Sequence, residues 1–424
     1  MAMPGSDFQD KNVNRRDFLQ AGTLATASAA ALAQGVHTSA TAAAPAPRQE
    51  QDDDKVLPRR PLGKTGVDLT ILDQGTWRSP GLDLLLRASH ANGVRVVDTA
   101  KSYGSEPGIA RWLQQNPELR KEIFLVTKDG PREPRDLIRQ LDERLEALKT
   151  DYIDLIFVHG LSSQRVDWPK SQEFKETAEA IRKSGKAKFV GFSTHDRTRA
   201  QQIQNAAEGG FVDAIMLQYT PWLDKDDPLN KALDACHAKG IGLISMKQVA
   251  GQFSTGADPN IDVLQEVQKR VPALKERGLT PYQGLLQAIW SDERITTCCV
   301  SLRNTQQIRE DTEAARDFAK HGPLTTQQIL ELRDACLAHG PTLCADCDGR
   351  CSQAAGTEAA LGDLTRLLTY HDHHGYRGEA RRLYSELPRT ERHWQGADLE
   401  AARAACPNHL DFARLLPKVD RHLA

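Results

Sequence analysis

The chain has 424 residues, of which 39% are hydrophobic and 26% are charged, and its formal net charge is −2. This length exceeds one average domain, although an α/β barrel takes roughly 250 residues or more as a single unit. The near-neutral charge excludes a strongly basic surface, so we expect no nucleic-acid partner and no attraction to an anionic membrane.

The first 33 residues differ from the rest of the chain. An Arg15-Arg16 pair precedes a mild, alanine-rich apolar stretch that ends at Ala33. This pattern resembles a twin-arginine export signal, and a disordered tail with a chance arginine pair is the alternative. We predict a signal peptide at 1–33, the twin-arginine export machinery as a partner, and a periplasmic or otherwise exported protein. Residues 34–55 are polar, which predicts a disordered linker, and no stable membrane span is expected after signal cleavage.

From residue 56 onward, short and mostly β-branched apolar runs alternate with stretches of helical periodicity. The predicted strands span 70–76, 94–99, 123–128, 153–159, 187–194, 214–219, 240–247 and 296–302. The predicted helices include 134–148, 172–184, 197–208, 229–239 and 281–291. This rhythm predicts an α/β fold, a closed (β/α)₈ TIM barrel at 56–335. An open doubly wound sheet is the alternative, but Gly75-Thr76-Trp77 is not the glycine-rich turn expected after its first strand.

After residue 335 the alternation ends, and helical stretches at 357–368, 379–387 and 399–405 follow. They predict a smaller, mainly helical C-terminal domain at 336–424. Its cysteines are clustered: Cys344, Cys347 and Cys351 lie close together, and Cys406 precedes a proline, which is similar to an iron–sulfur arrangement. Three alternatives stay open, because four thiolates can hold a [4Fe–4S] cluster, form two disulfides or bind zinc. The other four cysteines are predicted to be small core residues, namely Cys236, Cys298, Cys299 and Cys336.

Four chemically active side chains stand where three successive strands end. Asp98 closes the second strand and Tyr103 follows in its loop, while Lys128 and His159 close the third and fourth strands. Because barrel enzymes place catalysis at the carboxyl ends of their strands, we expect these residues to meet. Lys128 is expected to lower the pKa of Tyr103, Asp98 to hold Lys128, and His159 to orient a substrate oxygen. Taken singly, each has a structural alternative as a helix cap, a solvated lysine or a core histidine.

Three short motifs carry a resemblance to a known family. DTAKSYG at 98–104, Thr127-Lys128 and the VHG at 158–160 resemble the catalytic tetrad motifs of the aldo-keto reductase superfamily. LGKTG at 62–66 and GTW at 75–77 are similar to the start of that family's domain. The resemblance covers residues 56–320. It implies an NADP cofactor across the barrel mouth, a small carbonyl or alcohol substrate, and Tyr103 as the general acid–base.

The resemblance also implies which residues bind the cofactor. Family positions near the nicotinamide match Ser193, Thr194, Gln218, Met246 and Lys247, and those near the adenosine phosphate match Ser301, Arg303, Gln307 and Asp311. Threonine stands at 194 in place of the usual asparagine, and Met246 in place of a stacking aromatic. Arg303 precedes a helix and Gln307 lies in its first turn, where backbone amides and a cation favour phosphate. Both fall on the family positions that contact the adenosine ribose phosphate, so the resemblance implies NADP in preference to NAD.

These observations together predict an exported NADP-dependent oxidoreductase that interconverts a carbonyl and an alcohol by hydride transfer. Some exported relatives carry a cysteine-rich C-terminal extension similar to this one. If the extension holds an iron–sulfur cluster, electrons would pass between it and the nicotinamide, and a redox partner would be required. The alternative is a non-catalytic nicotinamide- or partner-binding barrel whose C-terminal cysteines are structural, as disulfides or a zinc site.

Overall fold

The structure is a computed structural model that describes residues 57–247, 269–338, 349–372, 376–406 and 409–424. The predicted signal peptide at 1–33 and linker at 34–55 lie outside the described residues. Cys344 and Cys347 lie outside them too. No helix in the described part of the chain is long and apolar enough to cross a membrane.

The described residues form ten strands, and eight of these are parallel and close into a barrel. In chain order the strands are β1 (Arg59–Pro61), β2 (Asp68–Thr70), β3 (Leu72–Gly75), β4 (Val96–Asp98), β5 (Phe124–Asp129), β6 (Ile153–Val158), β7 (Ala187–Thr194), β8 (Ala214–Gln218), β9 (Gly242–Met246) and β10 (Ile295–Val300). Strands β3 to β10 follow one another around the barrel, and β10 pairs in parallel with β3 through Val300 opposite Gln74. The predicted TIM barrel is confirmed. The open-sheet alternative is wrong, because the first and last strands of the sheet pair with each other.

An antiparallel hairpin formed by β1 and β2 precedes the barrel. Its turn contains Leu62, which is fully buried among residues that fill the barrel interior. Gly63 has φ +52°, and a Cβ there would lie 2.2 Å from the carbonyl oxygen of Gly240. That carbonyl accepts a hydrogen bond of 2.7 Å from the backbone of Lys64. Glycine at 63 therefore lets the turn seat against the chain entering β9, and Leu62 fills the amino end of the barrel.

Helices follow the strands in the described residues. They are α1 (Leu82–Ala91), α2 (Glu106–Gln115), α3 (Asp136–Leu148), α4 (Gln172–Ser184), α5 (Arg199–Gly209), α6 (Pro228–Ala238), α7 (Pro272–Glu276), α8 (Pro281–Trp290), α9 (Thr305–His321) and α10 (Thr326–Ala338). Helix α3 shows the predicted periodicity, since Leu137, Leu141 and Leu148 are buried on its inner face. Leu332 on α10 packs with Leu274 and Leu285 in one cluster. The domain boundary predicted at 335/336 thus falls inside α10, a helix that packs on the barrel.

The remaining elements form a second hydrophobic core. They are α11 (Arg350–Ala354), α12 (Leu361–Asp372), α13 (Arg377–Glu386), α14 (Arg389–Arg392), α15 (Leu399–Ala405) and α16 (Phe412–Leu423). Leu364 and Leu368 of α12 pack in this core with Phe412 and Leu416 of α16. The predicted helical character of the C-terminal region is confirmed. Cys351 and Cys406 are both buried in the same core.

The C-terminal helices lie against the carboxyl ends of the barrel strands. Glu379 on α13 forms an ion pair with Arg78, which follows β3. Lys247, the residue after β9, donates a 3.0 Å hydrogen bond from Nζ to Oη of Tyr370 on α12. Arg350 on α11 forms an ion pair with Asp227. A cavity lies at the carboxyl ends of the barrel strands, and residues of α12 and α13 form one wall of it.

Candidate active site

The barrel brings the four predicted catalytic residues to one rim. Asp98 ends β4, and a short 3₁₀ turn, Lys101–Tyr103, then places Tyr103 beside it. Lys128 lies in β5 opposite Phe157 of β6, and His159 is the residue after β6. Because the three strands are neighbours in register, their carboxyl ends deliver all four side chains to the same cavity.

Asp98 and Lys128 form a buried ion pair at the floor of this cavity. The two side chains are 2% and 1% exposed, and the Lys128 ammonium donates to both carboxylate oxygens. It also donates a 2.9 Å hydrogen bond to the carbonyl oxygen of Thr99. Burial works against a charged lysine, but the carboxylate of Asp98 outweighs it and raises the pKa of Lys128. The ammonium is therefore held in place and stays charged at neutral pH.

Tyr103 is less acidic than its sequence context indicated. Its ring centroid lies 5.2 Å from Nζ of Lys128. Burial raises the pKa of Tyr103 to about 12, and although Lys128 acts in the predicted direction, it does not compensate. The expectation that Lys128 alone would bring the phenol below its ordinary pKa is corrected, because Asp98 neutralises much of the ammonium's charge and removal from water disfavours the phenolate. At neutral pH Tyr103 carries its proton.

His159 completes the group as an uncharged side chain. Its ring stands edge-on to that of Tyr103, with centroids 5.6 Å apart and planes at 85°. Burial lowers the pKa of His159 to about 3, and the ammonium groups of Lys128 and Lys247 add to the effect. A neutral imidazole can donate a hydrogen bond to a substrate oxygen without competing with Tyr103 as the acid.

The cavity has a volume of about 1070 Å³ and extends from the catalytic residues to the first turn of α9. Seven of the nine residues predicted to bind the cofactor line it: Ser193, Met246, Lys247, Ser301, Arg303, Gln307 and Asp311. Thr194 and Gln218 do not. The hydroxyl of Thr194 donates to the carbonyl oxygen of Leu161 at 3.3 Å, and Gln218 is buried at the end of β8.

The far end of the cavity suits a phosphate group. Asn304 caps α9 by accepting a 2.8 Å hydrogen bond from the backbone of Gln307, whose side chain accepts one of 2.9 Å from the backbone of Arg303. The guanidinium groups of Arg78 and Arg303 lie 4.0 Å and 5.0 Å from the ring centroid of Tyr376. Burial lowers the pKa of Arg303, and the neighbouring charge of Arg78 contributes. Arg303 beside a helix N-terminus is an arrangement that suits a ribose phosphate, whereas Arg78 already pairs with Glu379.

Several residues of the cavity were missed by the sequence analysis. Cys299 was predicted to lie in the core with Cys298, yet it lines the cavity, and its thiol is within 4.8 Å of the carboxylates of Asp73 and Asp98. Arg366 comes from a C-terminal helix. No local pattern marks it, because an arginine in an amphipathic helix is ordinary until the helix is docked.

Comparison with known proteins agrees with this architecture. Residues 75–335 match the model of the aldo/keto reductase family. The chain is 25% identical over 329 residues to L-glyceraldehyde 3-phosphate reductase of Escherichia coli (strain K12), covering 64% of this chain and 90% of that protein. It is 28% identical over 257 residues to aldehyde reductase YPR1 of Saccharomyces cerevisiae, covering 54% of this chain and 78% of the relative.

A solved structure shares the fold. The aldo-keto reductase AKR11C1 from Bacillus halodurans, in its holo form, superimposes with a TM-score of 0.52 at 19% identity. The match covers 66% of this chain and 96% of that one. The closed barrel, the four residues on its rim and the family match over most of the barrel lead to one conclusion: the chain belongs to the aldo/keto reductase family.

Proposed function

We propose that the protein is an NADP-dependent oxidoreductase that interconverts a carbonyl and an alcohol, with Tyr103 as the general acid–base. The observation that carries this proposal is the arrangement around Tyr103. Its hydroxyl faces the cavity beside the buried Asp98–Lys128 ion pair, and the neutral ring of His159 stands next to it. A proton donor, a fixed positive charge and a neutral hydrogen-bond donor converge where a substrate oxygen would sit.

The chain's own residues account for the proton transfer. Nicotinamide, when bound, would supply the hydride for the substrate carbon. As negative charge develops on the substrate oxygen, Tyr103 donates its proton to that oxygen, and Lys128 stabilises the phenolate left behind. His159 holds the oxygen in position by a hydrogen bond. Because burial keeps the pKa of Tyr103 at about 12, the proton is available at neutral pH, which favours reduction of the carbonyl.

The cavity has the residues that this cofactor needs. Met246 and Ser193 lie near the catalytic end, and the Ser193 hydroxyl already accepts a 3.0 Å hydrogen bond from the backbone of Gly160. Arg303 lines the other end, beside the capped first turn of α9, and Arg78, which pairs with Glu379, contacts the same ring of Tyr376 as Arg303. A guanidinium group beside a helix N-terminus favours a phosphorylated ribose, so NADP is the expected form.

The substrate is expected to be a small aldehyde or the corresponding alcohol. Relatives of this chain include proteins named L-glyceraldehyde 3-phosphate reductase, aldehyde reductase and D-galacturonate reductase. Together with the volume of the cavity, these names support a small carbonyl compound as substrate.

Purified protein tests the proposal. Wild type is expected to bind NADPH, measured by fluorescence, and to oxidise it when butanal is added. Tyr103→Phe is expected to retain NADPH binding and to lose turnover by roughly 100- to 10,000-fold, the usual worth of a general acid. Tyr282→Phe is the matched control, since Tyr282 is an exposed tyrosine of the same cavity. Failure of wild type to bind NADPH would support the alternative, a non-catalytic barrel that binds a partner.

We also propose that the C-terminal cysteines act together. Cys351 and Cys406 are buried in one core. Cys351 lies in α11, Cys406 directly follows α15, and these two helices pack on each other. Burial in one core is compatible with a [4Fe–4S] cluster, with disulfides and with zinc. Iron, acid-labile sulfide and zinc analysis of protein purified without oxygen separates the three. A cluster would make a redox partner necessary, whereas disulfides or zinc would make these cysteines structural.

Export by the twin-arginine route is the remaining part of the proposal. It rests on the Arg15-Arg16 pair and the alanine-rich stretch that follows. A reporter fused behind residues 1–45 is expected to reach the periplasm of a bacterial host. Replacement of both arginines by lysine is expected to keep the reporter inside the cell, and export that survives this change would disprove the twin-arginine assignment.

A further inference from the structure

A second lysine–tyrosine pair faces the same cavity as the catalytic one. Lys247 leaves β9 with a left-handed backbone, φ +60°, and its Nζ donates to Oη of Tyr370 at 3.0 Å. Arg366 lies one turn before Tyr370 on α12, with its guanidinium carbon 5.6 Å from the tyrosine ring centroid. All three side chains line the cavity, together with His159 and His195. The C-terminal helix thus adds a charged wall next to the catalytic residues.

The charges on this wall do not balance. Lys247 and Arg366 are two basic side chains, and the carboxylate that faces them among the described residues is Asp363, which forms an ion pair with Arg366. Burial lowers the pKa of Lys247, and the hydrogen bond and charge of Tyr370 act in the opposite direction. The positive charge of Lys247 lowers the pKa of two nearby histidines. Lys247 is the largest cause of a lowered pKa at His195, ahead of burial. At His159 it adds to burial and to Lys128.

Tyr370 compensates part of the surplus. Burial acts to raise the pKa of its phenol, but Lys247 and Arg366 outweigh burial and lower it to about 7. A phenolate at this position supplies the missing negative charge. The phenol ionises because the two buried cations need an anionic partner. An external anion would bind well here, because it would replace the phenolate as the partner of both cations.

We propose that Lys247, Arg366 and Tyr370 form an anion-binding subsite beside the catalytic tetrad, and that the carbonyl substrate carries a carboxylate or phosphate group that binds there. This inference rests on the proposed function and narrows its substrate class to anionic aldehydes or ketones. The cations proposed for the cofactor's ribose phosphate are Arg303 and Arg78, which contact the ring of Tyr376. Trp77 packs on the rings of both Tyr376 and Tyr370, so the two sets of cations are neighbours. Lys247 is the cation nearer the chemical step, since its charge acts on His159, beside which the substrate oxygen is expected.

The subsite also predicts a proton change on binding. An anion next to Lys247 and Arg366 removes the charge that keeps Tyr370 acidic, so the phenolate takes up a proton when the anion arrives. Binding near pH 7.5 should therefore be accompanied by uptake of a fraction of a proton from the buffer. A substrate that binds elsewhere in the cavity would leave Tyr370 as it is.

Kinetics with two aldehydes of similar size test the subsite. Succinic semialdehyde carries a carboxylate and butanal does not. Wild type is expected to prefer succinic semialdehyde in kcat/KM, and Arg366→Gln is expected to reduce that preference by about 10- to 100-fold, which is the loss of one charge-assisted hydrogen bond. Arg382→Gln is the control, because Arg382 also lines the cavity and also pairs with a carboxylate of its own helix, Glu386, but its side chain is 57% exposed. An unchanged preference in Arg366→Gln overturns the proposal.

Binding without turnover keeps this test separate from the test of the proposed function. Succinate and inorganic phosphate are titrated calorimetrically in two buffers of different ionisation enthalpy. Binding of either anion with proton uptake supports the subsite, and Tyr370→Phe is expected to abolish the uptake. If wild type reduces neither aldehyde but shows this signature, the proposed function fails and the subsite stands. If Arg366→Gln weakens NADPH binding and leaves the aldehyde preference intact, the wall serves the cofactor and the proposal is wrong.

Discussion

Two tyrosines line one cavity, each beside a lysine, and their pKa values are shifted in opposite directions. Burial raises the pKa of Tyr103 to about 12, although Lys128 lies close to its ring. Tyr370 is buried as well, yet Lys247 and Arg366 lower its pKa to about 7. A lysine near a tyrosine therefore does not by itself make the tyrosine acidic.

The difference lies in the other partners of the two lysines. Lys128 is bound to Asp98, whose carboxylate offsets part of the ammonium's effect on Tyr103, and burial outweighs the rest. Lys247 is joined by Arg366, and the nearby carboxylate of Asp363 forms its ion pair with Arg366. The first tyrosine is a proton donor that stays protonated until it is used. The second, Tyr370, ionises readily, and its phenolate serves as the anionic partner of Lys247 and Arg366. Net local charge, more than the nearest neighbour, sets the proton affinity of a buried phenol.

The largest expected effect separates the two tyrosines by their role in the chemical step. Tyr103→Phe should lower kcat for butanal by roughly 100- to 10,000-fold, because the proton donor is gone. Tyr370→Phe should cost less than about tenfold with the same substrate, since butanal carries no anion. Steady-state rates at saturating NADPH measure both. Equal losses in the two variants would show that Tyr370 belongs to the proton-transfer machinery.

The two lysines should differ in their contribution to stability. Lys128→Met leaves the Asp98 carboxylate buried without its cation, which typically costs about 3–5 kcal/mol. Lys247→Met should cost less, because Tyr370 can take up a proton and become neutral. Unfolding in urea measures both free energies. The double variant Asp98→Asn/Lys128→Met should recover much of the stability and none of the activity, so a double variant as unstable as Lys128→Met would contradict the ion-pair account.

The acidity of Tyr370 should be visible directly. Phenolate absorbance is expected to rise through about pH 7 in wild type and not in Tyr370→Phe, while Tyr103 stays protonated over this range. Arg366→Gln should move the midpoint upward by roughly one to three pH units, since an opposing charge is lost.

Linkage gives an independent check on Tyr370. Its pKa is lower in the folded chain than in the unfolded one, so its contribution to stability is complete above pH 10 and is lost as the pH falls through about 7. Relative to Tyr370→Phe, wild type should gain stability between pH 7 and pH 10. A difference between the two that does not change with pH would contradict the lowered pKa.

The smallest expected effect concerns Asp73, which is buried near Asp98 and Cys299. Burial raises the pKa of Asp73 well above its ordinary value, and the carboxylate of Asp98 adds to this. The folded chain therefore keeps a proton that the unfolded chain releases above about pH 4, and wild type loses stability as the pH rises from there. Asp73→Asn should flatten this dependence and be at least as stable at pH 8. Thermal unfolding between pH 5 and pH 8 measures it, and parallel curves for the two proteins would disprove it.

The barrel could be predicted from the sequence to within a few residues at each strand. The strand predicted at 187–194 is observed as Ala187–Thr194, and that predicted at 153–159 as Ile153–Val158. Buried parallel strands are near-continuous apolar runs, and such runs are readable locally. The hairpin of β1 and β2 was not predicted, because three-residue strands carry too little pattern. The last helix, Phe412–Leu423, was not predicted either, and it contains Pro417, a residue that disfavours helix interiors.

Part of the candidate site could likewise be predicted from the sequence, and part could not. Asp98, Tyr103, Lys128 and His159 could be predicted to converge because each stands at the carboxyl end of a strand or just beyond it. Arg366 could not, because it reaches the cavity from a helix of another core. The hydrogen bond between Lys247 and Tyr370 joins positions 123 residues apart. No spacing rule connects residues across such a distance.

The sequence by itself determined the alternation of strands and helices, the closed barrel and the identity of the four residues on its rim. These follow from local periodicity and from the geometry of parallel strands, whose carboxyl ends meet on one side. Only the tertiary structure decided how acidic each group is and what the C-terminal helices contribute. Burial and net local charge are sums over every neighbour in space, and the neighbours of Tyr103 and Tyr370 come from distant parts of the chain.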